Sequence, residues 1–355
     1  MPCQEKVGVH AMNDMRSPYP WFGGKSRVAS LVWRSLGDVV NYVEPFFGSG
    51  AVLLGRPQPF IGTETVNDIN GWLCNFWRAL QADPDSVAFY ADNPVSELDL
   101  HARGDWLFYR KNVAEFIKRL RADPDYFDTK SAGWWVWGQC CWIGSGWGPR
   151  QLPHLGAGRG VNRQLPHLGN AGQGVKRVRP HLGDAGRGDD EQFGDGSESP
   201  TSKSEHLRKY LRGLAERVRS VRVCCGDWSR VCGPTPTVKQ GLTAVFLDPP
   251  YAVEDRSDCY GCDEDRQIAI AVREWAIEHG NDKMMRIALC GYDGEHVMPD
   301  SWECVEWKAN GGYRSLAANR DNKNAERERI WFSQHCIPSG QRSLFDDNIE
   351  EQSED

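Results

Sequence analysis

Short apolar runs alternate with longer stretches in which apolar residues recur every three or four positions, and this alternation holds over both ends of the chain. Near the N-terminus, residues 23–36 (GGKSRVASLVWRSL) give a glycine turn followed by an amphipathic helix. Residues 41–54 (NYVEPFFGSGAVLL) give a strand, a glycine loop and the start of a helix. Residues 60–70 (FIGTETVNDIN) give a strand ending in acids, and 71–84 the next helix. The pattern resumes near residue 204. It runs through a helix (204–218), a strand ending in an acid (220–228), a strand ending in VFLDPPY (243–251), a helix (263–280), a strand (285–293) and two late strands (302–309 and 327–336) that read as a closing hairpin. Strands alternating with helices predict an α/β fold on a mostly parallel sheet.

The middle of the chain differs. Residues 105–124 are helical, with apolar positions at Leu107, Val113, Phe116, Ile117 and Leu120. Five tryptophans follow between Trp134 and Trp147, a density that suits a helix packing indoles into a core, with one or two rings left to meet a nucleic acid. Pro-His-Leu-Gly then occurs at 153–156, 166–169 and 180–183, in a glycine-rich setting that reads as linker or as chain ordered on binding. The expected organisation is a leader (1–17), one α/β domain in two pieces (18–84 and 214–336), an insertion (85–213) carrying the repeats (151–190), and an acidic tail (337–355).

Charge and cysteine usage refine this picture. The net charge of -7 argues against a uniformly basic nucleic-acid binder. Its distribution argues otherwise, because residues 150–222 hold 14 Lys/Arg against 8 Asp/Glu, while 341–355 hold one Arg against 6 acids. Arg150, Arg159, Arg163, Lys176, Arg177, Arg179 and Arg187 on this flexible backbone suit phosphate or groove contact. The 12 cysteines are scattered and read as reduced thiols of a cytoplasmic protein. One CxxC (Cys259 and Cys262) lacks the second pair that a zinc site needs, and the repeat histidines lack partners at ligand spacing, so no metal is expected. Neither a signal peptide nor an apolar run of membrane-spanning length is present, so no membrane association is expected.

Candidate chemistry sits at strand ends, where parallel sheets bind ligands. Glu44-Pro45-Phe46-Phe47-Gly48-Ser49-Gly50 supplies a loop whose glycines let backbone approach a ligand. It is neither GxGxxG nor GxxxxGKS. Asp68 is placed to accept ribose hydroxyls or to cap the next helix. In Asp248-Pro249-Pro250-Tyr251, the carboxylate and the Pro249 carbonyl are two stiffly held acceptors, matching the two donors of an exocyclic amine, and Tyr251 offers a face for stacking.

Trp21-Phe22-Gly23-Gly24-Lys25, the Phe46–Gly50 loop, Asp68 and Asp248–Tyr251, in this order, resemble the α-group DNA adenine-N6 methyltransferases. That resemblance implies a Rossmann-like class I methyltransferase sheet with a mostly helical and loop-rich target-recognition insertion. It implies S-adenosyl-L-methionine as cofactor, held by Trp21, Lys25, Glu44, Phe46, Gly48, Ser49, Gly50, Asp68, Asp227 and Asp248. The catalytic group it implies is Asp248, Pro249, Pro250 and Tyr251, acting on a flipped adenine in double-stranded DNA, and a homodimer is compatible with it. The alternatives are N4-cytosine methylation and a non-catalytic DNA-binding protein on a methylase fold. The repeats have no counterpart in the shorter members of the family.

Overall fold

The computed structural model describes residues 15–21, 24–110, 112–123, 125–142, 147, 200–251, 262–307 and 327–338. The seven basic residues singled out between 150 and 187, and the repeats, lie outside these residues, as do most of the leader and the acidic tail.

Seven strands form one sheet: β1 (Asn41–Glu44), β2 (Thr63–Asp68), β3 (Arg222–Cys225), β4 (Thr243–Leu247), β5 (Met285–Tyr292), β6 (Glu303–Glu306) and β7 (Glu328–Phe332). Their spatial order is β3-β2-β1-β4-β5-β7-β6. The first five are mutually parallel, β7 runs antiparallel to β5, and β6 pairs antiparallel with β7. The expected closing hairpin is therefore present, and the chain has the predicted α/β class.

The sheet is buried on both faces, and its period-two pattern assigns each residue to a side. Ala244 and Phe246 on β4, Ala288 and Cys290 on β5, and Ile330 and Phe332 on β7 join one core. Val245 and Leu247, Ile287 and Leu289, and Trp331 join the other. The second core is covered by α9 (Cys262–His279) through Val272 and Ala276. The first is covered by α1 (Ala29–Leu36), α3 (Gly71–Ala82) and further helices. Helix α1 buries Ala29, Val32, Trp33 and Leu36 at helical spacing and ends at Gly37, whose φ of 62° needs a residue without Cβ. Trp33 Nε1 donates to the Val52 carbonyl (2.7 Å), tying α1 to the short α2 (Ala51–Leu54) behind the glycine loop.

Helices α4 (Pro84–Ala91), α5 (Glu97–Asp105), α6 (Val113–Ala122) and α7 (Thr129–Cys141) come from the stretch read as an insertion. Val87, Leu107, Phe116, Trp135 and Trp137 belong to the same core as α1 and α3. Trp135 and Trp137 are fully buried, so these indoles are core, as their density predicted. Residues 105–124 do not form one helix. A π-helical turn at Trp106–Arg110 interrupts them before Asn112 caps α6 by accepting from the Glu115 amide. Helix α8 (Pro200–Val218) runs across the expected 213/214 boundary as one element.

Candidate active site

The sheet order makes neighbours of β3, β2, β1 and β4, whose carboxyl ends carry Asp227, Asp68, Glu44 and Asp248. Strand order reverses between β1 and β4, the point at which α/β sheets open a crevice. The four acids picked from sequence thus share one edge of the sheet, but the register places them at different depths. Asp68 pairs with Cys225, and Glu44 with Val66 two residues earlier, so Glu44 stands inside the sheet. It is 2% exposed and accepts from the Tyr42 hydroxyl (2.8 Å). Burial pushes its carboxyl well above the usual range. Asp227 is exposed and caps the turn Trp228–Val231 by accepting from the Ser229 amide.

The glycine loop is shaped from below. Gly48 and Gly50 have φ of 50° and 73°. A Cβ on Gly48 would stand 2.7 Å from the Trp21 indole, so Trp21 packs on the loop itself. Asp68 Oδ2 accepts from the Gly48 amide (3.0 Å) and Oδ1 from the Asn70 amide (2.9 Å). The cap of α3 is Asn70, which accepts from Trp72 and Leu73, and not Asp68. Asp68 therefore stays half-buried at the loop with lone pairs to spare, and burial raises its carboxyl above the usual range. Ser49 is buried in the same loop. Phe46 is stacked toward Trp228 with ring centroids 6.2 Å apart, bringing the ends of β1 and β3 together.

Two residues that hold this loop carry no motif and escaped sequence reasoning. Tyr19 donates to the Gly48 carbonyl (2.8 Å) and accepts from Trp77 Nε1 (3.1 Å). Asn67 Nδ2 donates to the carbonyls of Pro45 and Gly226, both at 3.0 Å, fastening three strand ends.

At the end of β4 the structure gathers Lys25, Asp248, Tyr251 and Glu328. Lys25 Nζ lies 2.9 Å from Asp248 Oδ2 and 3.9 Å from Glu328 Oε2, and Lys25 is 3% exposed. Burial alone would lower its ammonium, but its surroundings, Asp248 first among them, outweigh it and the net shift is upward. The resemblance set Lys25 among the cofactor-holding residues; here its ammonium meets Asp248. The Tyr251 hydroxyl lies 3.0 Å from both Asp248 Oδ1 and Glu328 Oε2. Its ring meets Tyr292 edge-on at 4.6 Å, and Lys25 Nζ lies 5.3 Å from its centroid. Pro249 is buried and Pro250 exposed. Glu328 also escaped sequence reasoning. Its only signal was a pair of charged residues, Glu328 and Arg329, opening a late strand that continues as Ile-Trp-Phe.

Comparison with known proteins finds likeness over part of this chain. Residues 21–129 match the D12 class N6 adenine-specific DNA methyltransferase family. The D12-class segment takes in Trp21, Lys25, the glycine loop and Asp68, while Asp227 and Asp248 lie beyond it. A DNA N-6-adenine-methyltransferase of Escherichia phage P1 is 35% identical over an alignment of 133 residues that covers 34% of this chain. The match covers 17% of that relative's length.

D12 class enzymes use S-adenosylmethionine as methyl donor. The residues present fit that group. Gly48 and Gly50 at positive φ give a loop whose backbone carries no side chain of its own at these turns, and the half-buried Asp68 keeps acceptor capacity for a diol. Among the described residues no cluster of His, Cys, Asp or Glu could hold a metal ion, and no helix is long and apolar enough to cross a membrane. The described cysteines are free thiols.

Proposed function

We propose that this protein is a site-specific DNA methyltransferase that moves a methyl group from S-adenosylmethionine to N6 of adenine in double-stranded DNA, in the cytoplasm of a bacterial or phage-infected cell. The observation that carries this reading is the Asp248 carboxylate, fixed by Lys25 at 2.9 Å and Tyr251 at 3.0 Å, at the strand end beside the glycine loop. The D12-class match of residues 21–129 favours adenine over cytosine as the target base.

The cofactor supplies an electrophilic methyl group. The protein's task is to place an amine in line with it. An aromatic amine is a poor nucleophile because its lone pair is delocalised into the ring. Asp248 and the Pro249 carbonyl accept its two N–H bonds, which favours a more tetrahedral nitrogen with its lone pair aimed at the donor. Lys25 lies against Asp248 in a buried setting and keeps the carboxylate oriented. Asp68, Gly48 and Gly50 hold the nucleoside part of the donor, with Trp21 packed against the loop. The target atom is stacked inside duplex DNA, so the base is flipped into the crevice. Residues 85–213 act as the target-recognition region, with the basic residues Arg150 to Arg187 on phosphates.

Asp248→Ala is expected to abolish transfer of labelled methyl groups to duplex DNA while gel-shift binding of the duplex persists. Retained turnover in this variant would refute the assignment.

A further inference from the structure

The proton count around Tyr251 is one short. Its phenol is neutral, because burial and the neighbouring carboxylates hold it well above the ordinary value, so it carries a single hydroxyl hydrogen. Two carboxyl oxygens, Asp248 Oδ1 and Glu328 Oε2, both lie 3.0 Å from that hydroxyl. If both carboxyls were ionised, both contacts would need the same hydrogen, and two anions would crowd one oxygen in a buried site. A second hydrogen resolves the conflict, and it has to sit on one of the two carboxyls.

Geometry decides which. Asp248 has the ammonium of Lys25 at 2.9 Å, whereas Glu328 has it only at 3.9 Å. The Glu328 side chain is 7% exposed against 20% for that of Asp248, so its charge is the costlier one to hold. Arg327, the preceding residue, directs its guanidinium to the Asp293 carbonyl (3.5 Å) and lies over the Tyr292 ring. Glu295, in the turn after β5, adds negative charge. Cys290, from β5, is a thiol that burial holds well above its ordinary value, and Tyr292 on the same strand is the direct register partner of Glu328. Arg329, the next residue on β7, directs its guanidinium to Asp293, Glu306 and the Glu328 backbone carbonyl. The Trp307 amide likewise reaches that backbone carbonyl.

We propose that Glu328 is a positioning residue that works as a neutral carboxylic acid, donating its hydrogen to the Tyr251 oxygen so that Tyr251 donates its own to Asp248. The chain of donors then points one way, from Glu328 through Tyr251 to Asp248, and Lys25 closes it from the other side. The buried cluster carries one positive and one negative charge. An ionised Glu328 would compete for the phenol hydrogen and for Lys25, loosening both from the carboxylate that grips the substrate amine. Burial raises the Glu328 carboxyl above its ordinary range, in keeping with this assignment. The role rests on the methyl-transfer reading; the protonation state does not.

The test compares Glu328→Gln, whose amide keeps a donor toward Tyr251, with Glu328→Ala, which removes it. With labelled S-adenosylmethionine and duplex DNA, Glu328→Gln should keep kcat within about twofold and lose the alkaline limb of the pH profile caused by ionisation, while Glu328→Ala should lose about tenfold or more in kcat with a smaller change in cofactor KM. A Gln variant as impaired as the Ala variant would overturn the proposal. A second readout is independent of turnover. The infrared difference between wild-type and Glu328→Gln protein at neutral pH should contain the carbonyl stretch of a protonated carboxylic acid. Its absence would overturn the assignment even if methyl transfer is confirmed. Its presence in a protein that methylates no DNA would retain the protonation state and reject the methyltransferase reading.

Discussion

At the scale of single residues, the site depends on atoms that are missing as much as on those present. Gly48 combines a φ of 50° with an indole where its Cβ would stand. Gly48→Ala therefore meets two penalties, left-handed backbone strain of about 1–2 kcal/mol and displacement of Trp21. The predicted outcome is a protein with an unchanged far-UV circular dichroism spectrum and S-adenosylmethionine affinity about tenfold weaker by titration calorimetry, the equivalent of about 1.4 kcal/mol. Unchanged affinity would mean that the loop does not contact the cofactor. The glycines and Asp248 were legible in sequence because their chemistry is local: a residue that lacks Cβ, or a carboxylate stiffened by two prolines, means much the same in any context. Glu328 was illegible for the opposite reason. Its meaning comes from β7 lying beside β5, across from a loop 77 positions away in sequence.

At the scale of elements, the strands announced themselves through their ends and the helices through their apolar spacing. What the sequence did not announce was how helices from the presumed insertion fasten to the sheet. Helix α8 is pinned by a buried triad. Arg217 holds Glu64 on β2 through two hydrogen bonds (2.7 and 3.0 Å), and Arg56 reaches the same carboxylate at 3.2 Å. The two guanidiniums also donate to the Leu53 and Val39 carbonyls. All three side chains are at most 6% exposed. Removing the central carboxylate leaves two cations buried against each other. Glu64→Ala should therefore cost about 3–5 kcal/mol, read from the denaturant midpoint. Arg217→Met, which removes a cation and keeps apolar volume, should cost less. Equal losses would mean that packing, rather than uncompensated charge, sets the penalty. Periodicity could not show this triad, since three charged residues at 56, 64 and 217 have no common pattern until β2, the turn after α2 and α8 meet.

At the scale of the whole molecule, opposing titrations shape stability against pH. Glu44, Asp68 and Glu328 are all raised above their ordinary values, chiefly by burial. The folded protein then holds protons that the unfolded chain has released, and their contribution falls as pH rises from the unfolded carboxyl range through the folded values. His296 acts in the opposite sense. It is 7% exposed, its Nε2 faces the Cys290 carbonyl at 3.3 Å, and its ring meets Trp331 edge-on at 5.2 Å. Burial lowers it from 6.5 to about 4. Below the unfolded value the unfolded chain binds a proton that the fold refuses. The His296 contribution is thus fully present above about pH 6.5 and is lost as pH falls toward 4, to a total of about 3 kcal/mol. The wild-type curve alone would mix these effects. The difference between wild type and His296→Gln cancels the shared carboxyls, leaving a constant packing offset plus the histidine titration. Measured by urea unfolding, that difference should decline by about 3 kcal/mol between about pH 7 and pH 4, with wild type losing ground. A difference that stays flat would mean that the ring charges freely in the fold, and that β5 and β7 tolerate an imidazolium between them.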